Sequence, residues 1–308
     1  MINKRFFVFI FSSIIILSFQ FCDNTVKSDA EEPFMVIRDF DYVKEAYFWV
    51  SSDYKDQIYP ISDNMMLIPN VPPLEDMQLY KSVSSKEEPG AFQATVWLDA
   101  TDTAAVNDQT VRDKYFIKLK SDVDYEKDNS LGFFKLNIDL AEDEILAVTF
   151  KNSMEAIGDF NQKESPQNLQ LIPGDLALKN VYNLGLKHLN SDRLNIKIRN
   201  NITERYKAEN GVSWNTIFGL DRYDDDGNPG ADGDLDKMNA FVFHLNQGEI
   251  WLPFHKPFVS RSWAQQQGKT TKDGEYNDLL PEEYSVNVYK DDYNWGKIGS
   301  NFVIEVYY

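Results

Sequence analysis

The chain has 308 residues and a formal net charge of −18, with 31 Lys and Arg against 49 Asp and Glu. The negative electrostatic field of such a chain repels nucleic-acid phosphates and anionic lipid headgroups, so a nucleic-acid partner is disfavoured. The content of 43% hydrophobic and 14% aromatic residues is too high for a disordered chain and predicts a folded, aromatic-rich protein.

The first 22 residues predict a secretion signal. Lys4 and Arg5 are followed by the apolar run "FFVFIFSSIIILSFQF" and then by the polar, acidic stretch "CDNTVKSDAEE". The apolar run is shorter than the roughly 20 residues that a membrane-spanning helix needs, which favours export over a permanent helical anchor. Residues 23–33 are polar and predict a tether.

Cys22 is the only cysteine, so no disulfide can form within the mature chain. Its place at the end of the apolar run resembles the cysteine that is acylated in bacterial lipoproteins. Phe19, Gln20 and Phe21 depart from the small residues that usually precede that cysteine. We favour lipidation of Cys22, which would hold the protein at a membrane, over an ordinary cysteine within a signal sequence.

Most patterned segments after the tether predict β-strands. Alternation of apolar and polar residues in Leu194–Arg199, Phe134–Leu140 and Tyr284–Tyr289 predicts strands with one buried face. Continuous apolar runs, rich in β-branched and aromatic residues, predict strands covered on both faces at Ala46–Val50, Ala94–Leu98, Glu144–Phe150 and Ala240–Leu245. Two packed sheets would cover both faces, so the sequence predicts an all-β, antiparallel β-sandwich.

Short helical turns are predicted at Pro73–Ser82 and Ser213–Leu220. The polar segment 151–175 predicts a linker between two β-rich domains, 34–150 and 176–308. The final "NFVIEVYY" alternates up to a terminal aromatic residue, as does the closing strand of an outer-membrane barrel. An edge strand of the sandwich is the preferred interpretation, because the other predicted strands are short and irregularly spaced.

Catalytic motifs are not found, and we predict a non-enzymatic protein. The "GKTT" stretch lacks the earlier glycine of a phosphate-binding loop, since Trp263 occupies that position, and it has no strand-to-helix context. The three histidines match no zinc-site spacing, and His244 is predicted to be a hydrogen-bonded core or interface residue. Paired carboxylates are expected by chance in a chain this acidic.

The stretch "GLDRYDDDGNPGADGDLDKM", residues 219–238, contains seven aspartates and four glycines. Ca²⁺ takes six to eight oxygen ligands, which tight acidic loops supply at alternating positions. The predicted ligands are Asp224, Asp226, Asn228, Asp232, Asp234 and Asp236. The register is not that of an EF-hand, and a solvated acidic turn is the alternative. We favour calcium because uncompensated carboxylates this close together repel one another.

Four segments, in order, carry a family resemblance: "SDVDYEKDNSLGFFKLNIDLAEDEILAVTF", "LKNVYNLG", "IFGLDRYDDDGNPGADGDLD" and "GEIWLPFHKPFV". Together they resemble the periplasmic modules of SprA-type proteins, outer-membrane components of the gliding-motility and type 9 secretion machinery of Bacteroidota. The match covers residues 121–258 and involves no catalytic residue. The residues that carry it are Asp124, Tyr125, Leu131, Gly132, Leu136, Asn137, Asp143, Glu144, Leu146, Ala147, Val148, 179–185 and 219–222.

The resemblance implies an exported cell-envelope protein, in the periplasm or at the outer membrane or cell surface, whose partners are envelope proteins of a secretion or motility apparatus. The chain is far too short for the protein-conducting barrel of SprA, so a translocation pore is not implied. Two alternatives stay open. One is a carbohydrate-binding or carbohydrate-active surface protein in which Trp251, Trp263 and Trp295 stack on sugars, although core packing of these residues is favoured. The other is a small outer-membrane β-barrel.

Overall fold

The computed structural model describes residues 32–58, 71–260, 277, 279–281, 289 and 299–308, and Pro33–Tyr308 form one compact unit. Strands account for 35% of the chain and helices for 5%, which confirms the prediction of a predominantly β fold. The strands are β1 (Met35–Arg38), β2 (Tyr47–Trp49), β3 (Leu74–Val83), β4 (Phe92–Trp97), β5 (Val111–Lys118), β6 (Tyr125–Asp128), β7 (Phe133–Leu136), β8 (Leu146–Asn152), β9 (Ala156–Ile157), β10 (Asn168–Leu171), β11 (Val181–Asn183), β12 (Asn195–Asn200), β13 (Phe243–His244), β14 (Glu249–Trp251) and β15 (Phe302–Tyr307). The helices are α1 (Ser52–Ile58), α2 (Trp214–Ile217) and the 3₁₀ turn Gly174–Leu176.

A two-sheet sandwich is not confirmed, because the described strands are distributed over four sheets. Three sheets have three strands each, in the orders β1-β15-β12, β11-β14-β13 and β2-β7-β6. The fourth has the order β10-β4-β5-β3-β8-β9. All pairs between these strands are antiparallel except β10 with β4, which is parallel.

The largest sheet closes on itself through β10. Gln170 of β10 pairs with Trp97 of β4 and also with Val148 of β8, so β3, β5, β4, β10 and β8 form a closed ring. Each strand of this ring sends apolar side chains into one small cluster: Tyr80, Ala94, Val96, Phe116, Ala147 and Leu169. A closed ring leaves none of its five strands as a free edge along the paired segments, which limits unwanted pairing with other chains.

The other face of β3 and β8 packs against the sheet of β2, β7 and β6. Met77, Leu79, Val148 and Phe150 alternate with the ring-facing residues and join a second cluster with Phe134. Successive side chains of a strand point to opposite faces, so β3 and β8 are covered on both sides. This double burial explains the continuous apolar runs in their sequences.

A third cluster is formed by the sheets of the second half of the chain together with β1. Ile196, Trp214, Ile250, Phe302 and Ile304 are all 1% exposed or less within it. The N-terminal strand β1 thus packs with residues more than 150 positions away in the sequence. The fold therefore depends on long-range strand pairing.

The prediction of an edge strand at the C-terminus is wrong. Strand β15 is the central strand of its sheet, between β1 and β12, and all six of its residues are buried. Alternation suggested a polar face because Glu305 interrupts the apolar run. The structure shows that Glu305 is buried and bonded: its Oε1 accepts from Arg199 Nε at 2.7 Å, and its Oε2 accepts from the hydroxyls of Tyr206 and Tyr307, each at 2.9 Å.

The two predicted helical turns have opposite outcomes. Pro73–Ser82 falls almost entirely in strand β3, so the prediction is wrong there; four consecutive buried residues, 77–80, conceal the period of a strand. Ser213–Leu220 contains α2, as predicted, and Ser213 caps it by accepting from Asn215 N at 3.2 Å. Asn215 then covers the outer edge of β12, accepting from Ile198 N and donating to Ile196 O, both at 2.8 Å.

The segment predicted as a linker, 151–175, is structured. It contains the end of β8, all of β9, and β10, which completes the closed ring. The division into domains 34–150 and 176–308 stays a prediction. The signal, Cys22, most of the tether, the "GKTT" stretch and the strand at Tyr284–Tyr289, apart from Tyr289, lie outside the described residues. None of the helices that the structure describes is both long and apolar enough to cross a membrane.

Asp39 is a fully buried carboxylate at the end of β1. Its Oδ2 accepts the backbone N–H groups of Asn301 at 2.8 Å and Phe302 at 3.0 Å, at the start of β15. Burial raises the pKa of this carboxyl to about 7, and the backbone N–H donors only partly oppose the rise. The folded state therefore holds a proton on Asp39 at pH values where the unfolded chain does not.

Replacing Asp39 by Asn should remove a pH-dependent contribution to stability. The folded pKa of about 7 exceeds the ordinary value of 3.8, so the contribution is fully present below about pH 4 and is lost as the pH rises to 7. The unfolding free energy of the wild type should fall, relative to Asp39→Asn, by about 4 kcal/mol over this range. Urea unfolding from pH 4 to 8 measures this difference. Asp108→Asn, at an exposed position, controls for charge, and a wild-type minus Asp39→Asn difference independent of pH contradicts the assignment.

Candidate functional site

The acidic loop, residues 221–236, is closed at its base by backbone contacts. Asp236 N donates to Leu220 O at 3.0 Å, and Arg222 N donates to Asp236 Oδ2 at 2.7 Å. Asp221 is 2% exposed and accepts from Asp232 N through Oδ1 and from Thr216 Oγ1 through Oδ2, each at 3.2 Å. The two arms of the loop are thereby brought together.

Aspartate side chains also shape the tip of the loop. Asp224 Oδ1 accepts the N–H groups of Asp226 at 3.0 Å and Asn228 at 2.8 Å, and Gly227 adopts a φ of +80° to close the turn. Asp232 Oδ1 accepts from Asp234 N at 2.9 Å. Hydrogen bonds from the Asn228 backbone and side chain lower the pKa of Asp224, whereas burial raises the pKa of Asp236. Asp224 and Asp232 therefore stabilise the turns of the loop.

Four of the six predicted calcium ligands line one cavity of about 430 Å³: Asp224, Asp232, Asp234 and Asp236. Asp225, which was not predicted, also lines this cavity, whereas Asp226 and Asn228 are not among its lining residues. In the part of the chain that the structure describes, no three His, Cys, Asp or Glu side chains are grouped so that they could hold a metal ion. Calcium binding by this loop stays a prediction.

Calcium should raise the melting temperature if it binds here, because it relieves repulsion between the carboxylates. We expect a thermal shift with millimolar CaCl₂ that is lost in Asp232→Ala and in Asp234→Ala, which both line the cavity, and kept in the control Asp108→Ala. These three aspartates are exposed, so the substitutions should leave the folded core intact. No shift in the parent protein, or equal shifts in all variants, contradicts the prediction.

A second candidate site, the junction pocket, lies where β6 and β7 meet β13 and β14. It has a volume of about 230 Å³ and is lined by residues including Tyr47, Phe133, Lys135, His244, Glu249 and Trp251. Its deepest polar group is Glu249, which is 4% exposed. Glu249 Oε2 accepts from the Tyr47 hydroxyl at 2.6 Å, and Lys135 Nζ lies 3.4 Å from Oε1. Burial and then the bond to Glu249 raise the pKa of Tyr47.

Aromatic rings form the floor of the junction pocket. The Trp251 ring centroid lies 5.1 Å from those of Tyr47 and Phe133, in edge-on contacts, and 4.4 Å from the His244 ring, which stacks on it. His244 Nε2 lies 3.3 Å from Phe241 O, and burial lowers the pKa of the imidazole. His244 is predicted to be a hydrogen-bonded core or interface residue; the structure shows the contact to Phe241 O, but the side chain is half-buried and lines the pocket rather than belonging to a core cluster. Trp251 is 5% exposed and belongs to the core, whereas Trp263 and Trp295 lie outside the described residues.

Sequence reasoning did not find the junction pocket. Tyr47 and Glu249 are 202 positions apart, and the segments that contain them, Ala46–Val50 and "GEIWLPFHKPFV", predict a strand and a family resemblance but no site. The only local signal was Glu249 itself, a charged residue directly before the apolar pair Ile250 and Trp251. The pocket is created by the pairing of distant strands, which a single sequence does not reveal.

The residues that carry the resemblance to SprA modules serve core packing and turn geometry. Tyr125 is 2% exposed, with its hydroxyl 3.5 Å from Met77 O, and Asp124 Oδ2 accepts from Lys120 N at 2.8 Å. Gly132 has a φ of +71°, and a Cβ there would fall 2.0 Å from the ring of Tyr54. These positions fix a turn and its packing rather than a reactive group.

The matching residues in 179–185 and 219–222 also serve packing and turn geometry. Gly219 has a φ of +77°, and a Cβ there would fall 2.3 Å from Pro253. Val181, Tyr182 and Leu220 are completely buried. No protein-family model matches the chain, and no curated protein is significantly similar to it in sequence.

Proposed function

We propose that this chain is a non-enzymatic, exported cell-envelope protein that resembles a SprA module and acts through protein-protein contacts in gliding-motility or type 9 secretion machinery. It works in the periplasm or at the outer membrane or cell surface, attached by a lipid on Cys22. The observation that carries the proposal is the ordered resemblance over residues 121–258, whose matching positions are core and turn residues.

Burial of the matching residues supports a shared fold. Leu136, Leu146, Ala147 and Val148 are each 5% exposed or less, in strands β7 and β8. A resemblance of this kind preserves the framework of a module, and function is then decided by the surface that the framework presents. A binding role needs no more than such a surface.

Charge favours a basic partner surface. The net charge of −18 produces a field that speeds association with positively charged proteins and slows association with negatively charged ones. Asp225, Asp226 and Asp234 are exposed on the acidic loop, and Met238 beside it is 92% exposed. This loop is the part of the described surface that we assign to the contact.

In vivo cross-linking of the tagged chain, followed by mass spectrometry, tests the proposal. We expect secretion or motility components of the outer membrane to be enriched over an unrelated exported acidic protein. The enrichment should fall in the triple variant Asp225→Asn, Asp226→Asn, Asp234→Asn and persist in Asp108→Asn. Equal recovery of these components with the unrelated protein, together with normal gliding and secretion after deletion of the gene, would count against the proposal.

Lipidation is tested separately at Cys22. A clickable fatty-acid probe should label the wild type, and Cys22→Ser should remove the label and release the protein from the membrane fraction. Because Cys22 is the only cysteine, a fatty-acid label on a cysteine can come from this residue alone. An unlabelled wild type in the soluble fraction assigns Cys22 to an ordinary signal sequence.

A further inference from the structure

The junction pocket combines an aromatic floor with polar groups that the fold leaves uncommitted. Phe133 and His244 are half-buried and lie against Trp251, so part of each ring lines the cavity. Aromatic faces of this kind pack against the C–H groups of small organic ligands. The floor therefore favours a ligand with an apolar face over a bare ion.

The polar groups around this floor include both acceptors and donors. Asp128 uses Oδ1 to accept the N–H groups of Ser130 at 2.9 Å and Leu131 at 3.0 Å, while its Oδ2 accepts no hydrogen bond among the described residues. Glu126 and Gln247 line the pocket with exposed side chains. Lys135 Nζ contacts Glu249 Oε1, and because an ammonium group has three N–H donors, it can also donate to a ligand.

The lining carries more negative than positive charge. It has three carboxylates, Glu126, Asp128 and Glu249, against two ammonium groups, Lys127 and Lys135, and Lys135 is paired with Glu249. This excess disfavours an anion. A neutral ligand rich in hydroxyl groups can donate to Glu126 and Asp128 and accept from Lys135, whereas a small cation would use the carboxylates alone.

We propose that the junction pocket binds one neutral saccharide unit, with a C–H face of the sugar ring against Phe133 and His244 and its hydroxyls bonded to Asp128, Glu126, Gln247 and Lys135. The volume of about 230 Å³ suits a single pyranose ring rather than an extended chain. The ligand is a free sugar or the terminal unit of a glycan. This inference is independent of the proposed protein contacts, because the pocket contains no residue of the acidic loop.

Titration with methyl hexopyranosides and N-acetylhexosamines, followed by saturation-transfer NMR and tryptophan fluorescence, tests the inference. We expect saturable binding of at least one probe, with a Kd on the order of 1 mM, as is usual for a single small contact surface. The double variant Glu126→Ala, Gln247→Ala should weaken that binding at least tenfold. Gln93→Ala, an exposed glutamine on β4, is the matched control and should bind as the parent does.

A second variant separates stacking from folding. His244→Phe keeps an aromatic ring and should keep most of the affinity, whereas His244→Ala should lose it while retaining the parent far-UV circular dichroism. Lysine methyl ester serves as a cationic probe. No saturable signal with any sugar up to about 50 mM, or binding of lysine methyl ester instead of the sugars, overturns the proposal.

Discussion

The structure depends on how an acidic chain buries carboxylates. Asp39, Glu249 and Glu305 are each 5% exposed or less, in a protein with a net charge of −18. A buried carboxylate is costly unless it is hydrogen-bonded or paired. Glu249 and Glu305 meet this requirement with donors from a distant part of the chain, whereas Asp39 accepts two distant N–H groups and also holds a proton up to about pH 7, so each of the three fixes one element against another.

Two of these carboxylates place the C-terminal strand. Asp39 accepts the first N–H groups of β15, and Glu305 collects Arg199, Tyr206 and Tyr307 around the middle of the strand. Strand β15 in turn pairs with β1 and β12, so the N-terminal strand and the second half of the chain share one sheet. Glu249 makes the corresponding connection between β14 and two other strands, through Tyr47 of β2 and Lys135 of β7. Loss of the donors to Glu249 or Glu305 would leave a charge buried without compensation.

The same chemistry distinguishes the two candidate sites. In the acidic loop, most carboxylates are exposed or half-buried and accept mainly backbone N–H groups of their own segment, which shapes turns and leaves a strongly negative surface. In the junction pocket, the innermost carboxylate, Glu249, is buried beside aromatic rings that limit access of water. The loop suits long-range attraction of a basic surface, and the pocket suits a small ligand that fits by shape.

The sequence alone determined the predominantly β character, the strands at β2, β4, β8 and β12, and the short helix α2, because periodicity and capping are local properties. It also located the acidic loop, whose glycines and aspartates specify turns within a few residues. Tertiary structure decided the closed ring, the central place of β15, the strand at Pro73–Ser82 and the junction pocket. These features arise from pairing between residues that are far apart in sequence, and the burial of Glu305 or Glu249 depends on partners that no local pattern identifies.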